Sequence, residues 1–168
     1  FLDVWTDCDH AVCLRTRKST SSSTSIVGRH LLRGTATTQT VISLSSGERV
    51  LWVGQVGSIA LGAEAMALDL GVTLRPRVRC DATAGAGNEN RRGVGRVRHL
   101  HTPSRWVQRY VQEGRLTLTK VPGEKNVADL GTKHLDGKRL WMLMGMMGLR
   151  SMAGRSELSL RAAGEVMA

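Results

Sequence analysis

Four carboxylates lie where predicted secondary-structure elements begin or end, and side chains at such positions can converge on one site. Asp7 follows a short apolar strand, Glu48 opens a helix, Asp81 follows a later strand, and Asp129 lies in a late helix. If the two strands are neighbours in a sheet, Asp7 and Asp81 share one of its edges. Carboxylates held close together repel one another, so we expect cations to neutralise such a group.

Hard oxygen ligands of this kind suit Mg²⁺ or Mn²⁺. Two such ions, about 3.5–4 Å apart, can hold the attacking and leaving oxygens of a phosphodiester displacement. The chain has 14 Asp and Glu residues in all, and for any single one a solvated surface position is the simpler interpretation. The four positions therefore indicate metal-dependent phosphodiester chemistry only together with the sequence around them.

The elements that must position these carboxylates follow from the apolar pattern. Short β-branched or alternating segments predict five strands, at residues 2–6, 25–27, 35–42, 78–80 and 116–121. Helical spacing predicts helices over residues 48–70 and 103–113, a further helix from residue 126, and an apolar terminal helix over 140–147. The polar stretch 15–25 predicts a turn or hairpin connection. This order predicts a mixed α/β domain with an antiparallel meander followed by parallel crossovers.

Composition limits the classes of function. The net charge of +10 and the pI near 10.7 favour a nucleic-acid backbone as partner, although a basic protein without a specific partner remains the alternative. Three cysteines without a CxxC pair argue against a disulfide framework and a structural zinc site. No apolar run reaches membrane-spanning length, and no secretory leader is visible. We therefore expect an intracellular location, and a first residue other than Met suggests a piece of a longer protein.

Five short motifs resemble, in the same order, those of the ribonuclease H domain of copia-type retrotransposon Pol polyproteins. They are TDCDHA with TRKSTS (residues 6–11 and 16–21), ISLSSGE (42–48), RCDA (79–82), RHL (98–100), and VPGEKNVAD with TK (121–129 and 132–133). The resemblance covers residues 3 to about 147. It implies a ribonuclease H-like domain over residues 1–147, with a five-stranded mixed sheet flanked by helices, and leaves 148–168 as a tail or linker.

The resemblance also implies an activity, which is hydrolysis of the RNA strand of an RNA–DNA hybrid with Mg²⁺ or Mn²⁺, two ions if the site is intact. Asp7, Asp81 and Asp129 match three metal-ligand positions of the family. The implied partners are the hybrid and the reverse transcriptase region of the same polyprotein, with no membrane. RNA would be distinguished from DNA by its 2′-OH.

The fourth ligand departs from the family pattern. The family helix begins Glu-Ala-Glu-Tyr, and its second glutamate, which we align as the metal-facing one, corresponds to Val50. Glu48 precedes it by two residues, which is a turn of about 200° along a regular helix, so fraying would be needed to bring Glu48 in. Further departures lie at His10, Val12, His101 and Gly131. We expect weakened metal binding and reduced or absent activity.

Basic residues near these motifs are candidate contacts for the nucleic-acid backbone. They are Arg17, Lys18, Arg91, Arg92, Arg96, Arg98 and Lys133. A solvated turn is an equal alternative for the first two, and a helix-capping role is an alternative for Lys133. Two other classes of function remain open beside the nuclease, namely a catalytically dead nucleic-acid-binding remnant and a structural spacer that supports the reverse transcriptase.

Overall fold

The computed structural model describes residues 1–9, 15–39, 49–81 and 101–151. The strands in these ranges are β1 (Leu2–Cys8), β2 (Thr20–Val27), β3 (His30–Thr38), β4 (Pro76–Cys80) and β5 (Thr117–Lys120). The α-helices are α1 (Arg49–Asp69), α2 (His101–Gln112) and α3 (Gly137–Met146). Two 3₁₀ helices, Gly123–Lys125 and Val127–Gly131, lie between β5 and α3.

The five strands form one mixed sheet in the order β3-β2-β1-β4-β5. The pairs β1–β2 and β2–β3 are antiparallel, whereas β1–β4 and β4–β5 are parallel. An antiparallel meander is therefore followed by two parallel strands that helical crossovers connect. This arrangement confirms the predicted fold class, a five-stranded mixed sheet with an antiparallel meander and parallel crossovers, flanked by helices.

Alternation along β1 divides the core between the two faces of the sheet. On one face, Leu2 and Val4 pack with Val78 of β4 against the buried residues of α1 and α2. The predicted apolar side of α2 contributes to this core through the four residues Trp106, Val107, Tyr110 and Val111. Gly57 of α1 allows the close approach of α2, because a Cβ there would lie 3.0 Å from the Trp106 ring.

The opposite face is covered in part by the C-terminal elements. Trp5 and Ile26 of the sheet pack with Val127 of the 3₁₀ helix and with Leu143 and Met147 at α3. The prediction of an apolar terminal helix packed on the core is confirmed for the side of α3 that carries Leu143. Other apolar side chains of this segment, including Trp141, are exposed.

On that same face, an ion-pair ladder crosses from β1 to β4. Asp3 accepts two hydrogen bonds from Arg77, at 2.8 Å each, and one from Arg79 at 2.8 Å. The two guanidinium groups lie over the rings of Phe1 and Trp5, at 3.7 and 5.0 Å from the ring centroids. Burial raises the pKa of Asp3, but the two arginines outweigh it and hold this pKa below its ordinary value.

The structure departs from the predicted elements in places: the strand predicted over 35–42 spans His30–Thr38, and part of the predicted turn is a strand. The polar stretch 15–25 was expected to be a turn, but Thr20 to Ser25 belong to β2 and Ser21 to Ser25 are buried. Neighbouring strands supply partners for the hydroxyl groups, since Ser23 Oγ lies 2.7 Å from Thr35 Oγ1 and Gln39 Nε2 donates to Ser21 Oγ at 2.7 Å. Small polar side chains can be buried in a central strand when such hydrogen bonds satisfy them.

The end of α1 was predicted well. Gly71 follows the helix with φ of +76°, and the N–H groups of Gly71 and Val72 donate to the carbonyls of Leu68 and Ala67. This pair of bonds is the Schellman arrangement that favours glycine. Cys8 and Cys80, predicted to be buried, are buried thiols. None of the helices in the described ranges has both the length and the apolar character needed to cross a bilayer.

Candidate metal centre

Asp7 and Asp81 are brought together by the parallel pairing of β1 and β4. Thr6 of β1 lies opposite Cys80 of β4, so the next residue of each strand projects at the same end of the sheet. Asp7 is buried and Asp81 is half-buried. A Cβ added at Gly123 would lie 3.3 Å from Asp81 Oδ2, which shows that the first 3₁₀ helix passes close to this carboxylate.

Asp129 reaches the same place from the 3₁₀ helix Val127–Gly131. Asn126 caps this helix and is completely buried. Its Nδ2 donates to the carbonyl of Thr6 at 3.0 Å, and its Oδ1 accepts from the N–H of Ala128 at 3.2 Å. Asn126 therefore fastens the start of the helix to β1 one residue before Asp7, which fixes the distance between Asp7 and Asp129.

The three carboxylates form one cluster, which we call the aspartate cluster (Asp7, Asp81 and Asp129). One oxygen atom from each lies within 4.8 Å of the others. Burial raises the pKa of Asp129, and the charge of Asp7 raises it further. Lys133 and Arg139 counteract this only in part, so that the pKa of Asp129 remains above its ordinary value. The cluster therefore holds negative charge that the protein itself does not fully stabilise.

Among the residues that the structure describes, Lys133, Arg139 and Thr132 donate hydrogen bonds to the cluster. Lys133 Nζ donates to Asp129 Oδ1 at 2.8 Å, and Arg139 donates to Asp129 Oδ2. Arg139 also donates to the carbonyl of Gly123 at 2.8 Å, so it connects the two 3₁₀ helices. The hydroxyl of Thr132 donates to Asp7 Oδ2. These contacts restrict the orientation of the buried carboxylates.

The donor set suits a divalent cation. Carboxylate oxygens are the ligands that Mg²⁺ and Mn²⁺ favour, and three of them converge here from three separate elements. Asp81 is open enough to water for an ion to enter, whereas Asp7 and Asp129 form the buried floor. The residues present therefore fit a hard divalent ion.

The structure places some of the predicted site residues in the cluster, and others lie outside the described residues. Asp7, Asp81 and Asp129 lie together as expected. Glu48 lies outside the described residues, as do Arg91, Arg92, Arg96 and Arg98, and Val50 lies in the first turn of α1. The roles expected for these positions stay predictions.

The remaining basic candidates lie at the same end of the sheet as the cluster. Arg17, which is exposed, and Lys18, which is half-buried, precede β2 and so lie beyond the end of β1 that carries Asp7. Lys133 was expected to contact a phosphate or cap a helix, and in the structure its ammonium group lies among the carboxylates.

Sequence reasoning assigned no role to three residues that hold the cluster, namely Asn126, Thr132 and Arg139. Asn126 and Thr132 stand within the motifs quoted above, and the position of Asn126 before a short helix is a cap signal that could have been recognised. Arg139 follows Asp129 by ten residues in another helix, and no local pattern connects the two.

Comparisons with known proteins concern the fold. The RNase H1 of the halophilic archaeon Halobacterium salinarum NRC-1 is 13% identical and has a TM-score of 0.47, with 78% of this chain and 93% of that chain covered. The N-terminal RNase H domain of rv2228c from Mycobacterium tuberculosis, solved as a fusion with maltose binding protein, is 11% identical and has a TM-score of 0.49. The match covers 86% of this chain and 96% of that chain.

Thermus thermophilus RuvC is 13% identical and has a TM-score of 0.33, with 94% of this chain and 87% of that chain covered. No protein-family model and no curated protein matches the chain. All three TM-scores are below 0.5, and the fold class therefore rests on the strand order and directions described above.

Proposed function

We propose that this chain is a metal-dependent nuclease of the ribonuclease H type, which hydrolyses the RNA strand of an RNA–DNA hybrid. The observation that carries this proposal is the convergence of Asp7, Asp81 and Asp129 at one end of a parallel strand pair, with an oxygen of each within 4.8 Å of the others. Scattered surface acids would not meet in this way from β1, β4 and a late 3₁₀ helix.

The three aspartates would hold Mg²⁺ or Mn²⁺. Such ions, when bound, activate water as a nucleophile and stabilise the departing oxygen of a phosphodiester. The protein's own residues keep the ligands in place. Thr132 orients the Asp7 carboxylate, Asn126 sets the position of the 3₁₀ helix, and Arg139 holds the second oxygen of Asp129.

The proposed substrate is consistent with the charge of the chain. A net charge of +10 favours a polyphosphate backbone. Arg17 and Lys18 would contact that backbone beside the cluster, and we assign the same role to the basic segment that contains Arg91, Arg92, Arg96 and Arg98. Contacts to the 2′-OH would select the RNA strand.

The proposed origin is a copia-type retrotransposon Pol polyprotein, in which the reverse transcriptase region would be the neighbouring partner. This origin rests on the five motifs of the sequence. The nuclease domain would span residues 1–147, with 148–168 as a tail or linker, and the reaction would accompany reverse transcription inside the cell.

The direct test is cleavage of a labelled RNA–DNA hybrid with Mg²⁺ and then with Mn²⁺. Asp81→Asn should abolish cleavage, because a neutral amide replaces one of the three carboxylates that would hold the metal ion. Asp69→Asn is the matched control, since Asp69 is an exposed carboxylate at the end of α1, and it should leave the rate unchanged. Absence of cleavage by the folded wild-type protein with either ion would exclude the nuclease.

A second candidate is a catalytically dead remnant that still binds nucleic acid. The observation that favours it is Val50, which stands where the family has a glutamate ligand. We expect Val50→Glu to increase cleavage or to restore it. Ser58→Glu, at an exposed position of the same helix, is the control and should have no effect. Hybrid binding without cleavage in both variants would favour the remnant, and loss of hybrid affinity altogether would favour a structural spacer.

A further inference from the structure

Lys133 occupies the centre of the aspartate cluster. Its Nζ lies 2.8 Å from Asp129 Oδ1, 3.5 Å from Asp7 Oδ2 and 3.9 Å from Asp81 Oδ2. One ammonium group thus contacts all three carboxylates that would hold a metal ion. A metal ion bound by these three carboxylates would lie in the same region and would be attracted by the same negative charges.

The position of Lys133 follows from local structure. It stands four residues after Asp129, just beyond the end of the 3₁₀ helix, and the N–H of Lys133 donates to the carbonyl of Asp129 at 2.9 Å. The side chain is 40% exposed, whereas Asp129 is completely buried. The side chain therefore reaches the cluster from the solvent side.

Charge neutralisation limits how many divalent ions the cluster accepts. The three carboxylates carry three negative charges, and Lys133 and Arg139 oppose them with two positive charges. If the ammonium group moves out, the carboxylates and Arg139 retain two negative charges. One divalent ion neutralises these, whereas two ions would leave excess positive charge on a partly buried site.

We propose that Lys133 is a resident counterion of the aspartate cluster, and that a single divalent ion binds only by displacing its ammonium group into solvent. This inference rests on the proposed function, because it concerns the metal site of that function. Lys133 would keep the carboxylates together in the metal-free protein and would weaken metal binding by competition.

The first test is Mn²⁺ binding to the whole chain, measured by calorimetry and by the electron paramagnetic resonance of free Mn²⁺. We expect one ion per chain for the wild type. Lys133→Met should bind Mn²⁺ about tenfold more tightly or better, because a competing unit charge within 4 Å of the ligands has been removed. Lys138→Met is the matched control, since Lys138 is exposed on α3, and it should change the affinity by less than about twofold.

Lys133→Arg keeps the positive charge and should not gain affinity. Unchanged or weaker Mn²⁺ binding by Lys133→Met, or the absence of binding in both proteins, would overturn the proposal. A stoichiometry of two ions in the wild type would also contradict it.

A second test needs no variant, in case Lys133→Met does not fold. Lysine acetylation by an activated ester can be followed residue by residue with mass spectrometry, with and without Mg²⁺. Displacement predicts that Mg²⁺ accelerates modification of Lys133 severalfold and leaves Lys138 unchanged. An equal rate at Lys133 with saturating Mg²⁺ would show that the ammonium group stays in place. Neither test uses the hybrid. A negative result here can therefore be distinguished from a negative result in the nuclease assay.

Discussion

Buried polar residues carry much of the organisation of the aspartate cluster. Asn126 and Asp129 are both completely buried, and each has its polar atoms engaged with neighbouring groups. A buried polar group without partners would cost about 1–3 kcal/mol. These residues are therefore tolerated only as a set, and loss of one leaves its partners unsatisfied.

Asn126→Ala is expected to destabilise the fold by about 2 kcal/mol, because the carbonyl of Thr6 and the N–H of Ala128 lose their partner. It should also weaken Mn²⁺ binding, since the helix that carries Asp129 is no longer fastened to β1. Chemical denaturation and calorimetry measure the two effects. Gln55→Ala, at an exposed position of α1, should change neither, and equal stability of the two variants would contradict the assigned role of Asn126.

The ion-pair ladder at Asp3 predicts a dependence of stability on pH. Asp3→Asn should lower the free energy of unfolding by about 2 kcal/mol at pH 7, because two arginines lose their charged acceptor. The pKa of Asp3 is held below its ordinary value of 3.8 in the folded state. The unfolded chain therefore takes up a proton first as the pH falls, and the contribution disappears as the pH drops below 3.8 through the folded-state pKa.

Denaturation of wild type and Asp3→Asn at pH 7 and at pH 3 measures this change, and the difference between them should shrink at the lower pH. Glu113→Gln removes the negative charge from the exposed Arg109–Glu113 pair and should have little effect at either pH. A difference that does not vary with pH would show that Asp3 acts by packing and not by charge.

At the scale of elements, the 3₁₀ helix Val127–Gly131 lies directly on β2, and Gly131 tests this packing. A Cβ at Gly131 would lie 2.4 Å from Ser22 Oγ and 3.2 Å from the Cβ of Ala36. Gly131→Ala should therefore destabilise the fold by about 1–3 kcal/mol. The departure of Gly131 from the family pattern thus corresponds to a close contact in this chain.

Gly62→Ala is the matched control for that substitution. Gly62 lies within α1, and a Cβ there would meet nothing within 4 Å. Replacement by alanine should stabilise the helix by about 0.5–1 kcal/mol. Thermal unfolding of the two variants should shift in opposite directions, and a destabilised Gly62→Ala protein would contradict the packing described for α1.

Elements with a clear apolar period were predictable from sequence, and those defined by tertiary contacts were not. The order of the elements and the span of α1 followed from periodicity and from Gly71 as a helix end. The strand character of Ser21 to Thr24 did not, because cross-strand hydrogen bonds and burial override the preference of serine for turns. The aspartates could be predicted from their motifs, whereas Arg139 approaches Asp129 only through the packing of α3.

At the scale of the molecule, charge at the two ends of the sheet predicts where the proposed hybrid would bind. Arg17 lies at the end that carries the cluster, and Arg75, which is also exposed, lies just before β4 at the opposite end. Arg17→Gln should weaken hybrid binding. It should also reduce the slope of log affinity against log salt concentration by the amount that corresponds to about one phosphate contact. Arg75→Gln removes the same charge and should change neither.

Binding isotherms at several salt concentrations, in the absence of divalent ions, measure both quantities. Equal weakening by the two substitutions would indicate attraction by net charge alone, without a defined path for the hybrid past the cluster.

The three aspartates are spread along the chain, at positions 7, 81 and 129, and the arginine that holds the last of them is at position 139. During synthesis the ribosome releases β1 long before the segment that completes the cluster. A nascent chain can therefore assemble its meander while the aspartate cluster is still incomplete. The aspartate cluster, and any metal ion that it binds, can form only after the segment that reaches Arg139 has left the ribosome.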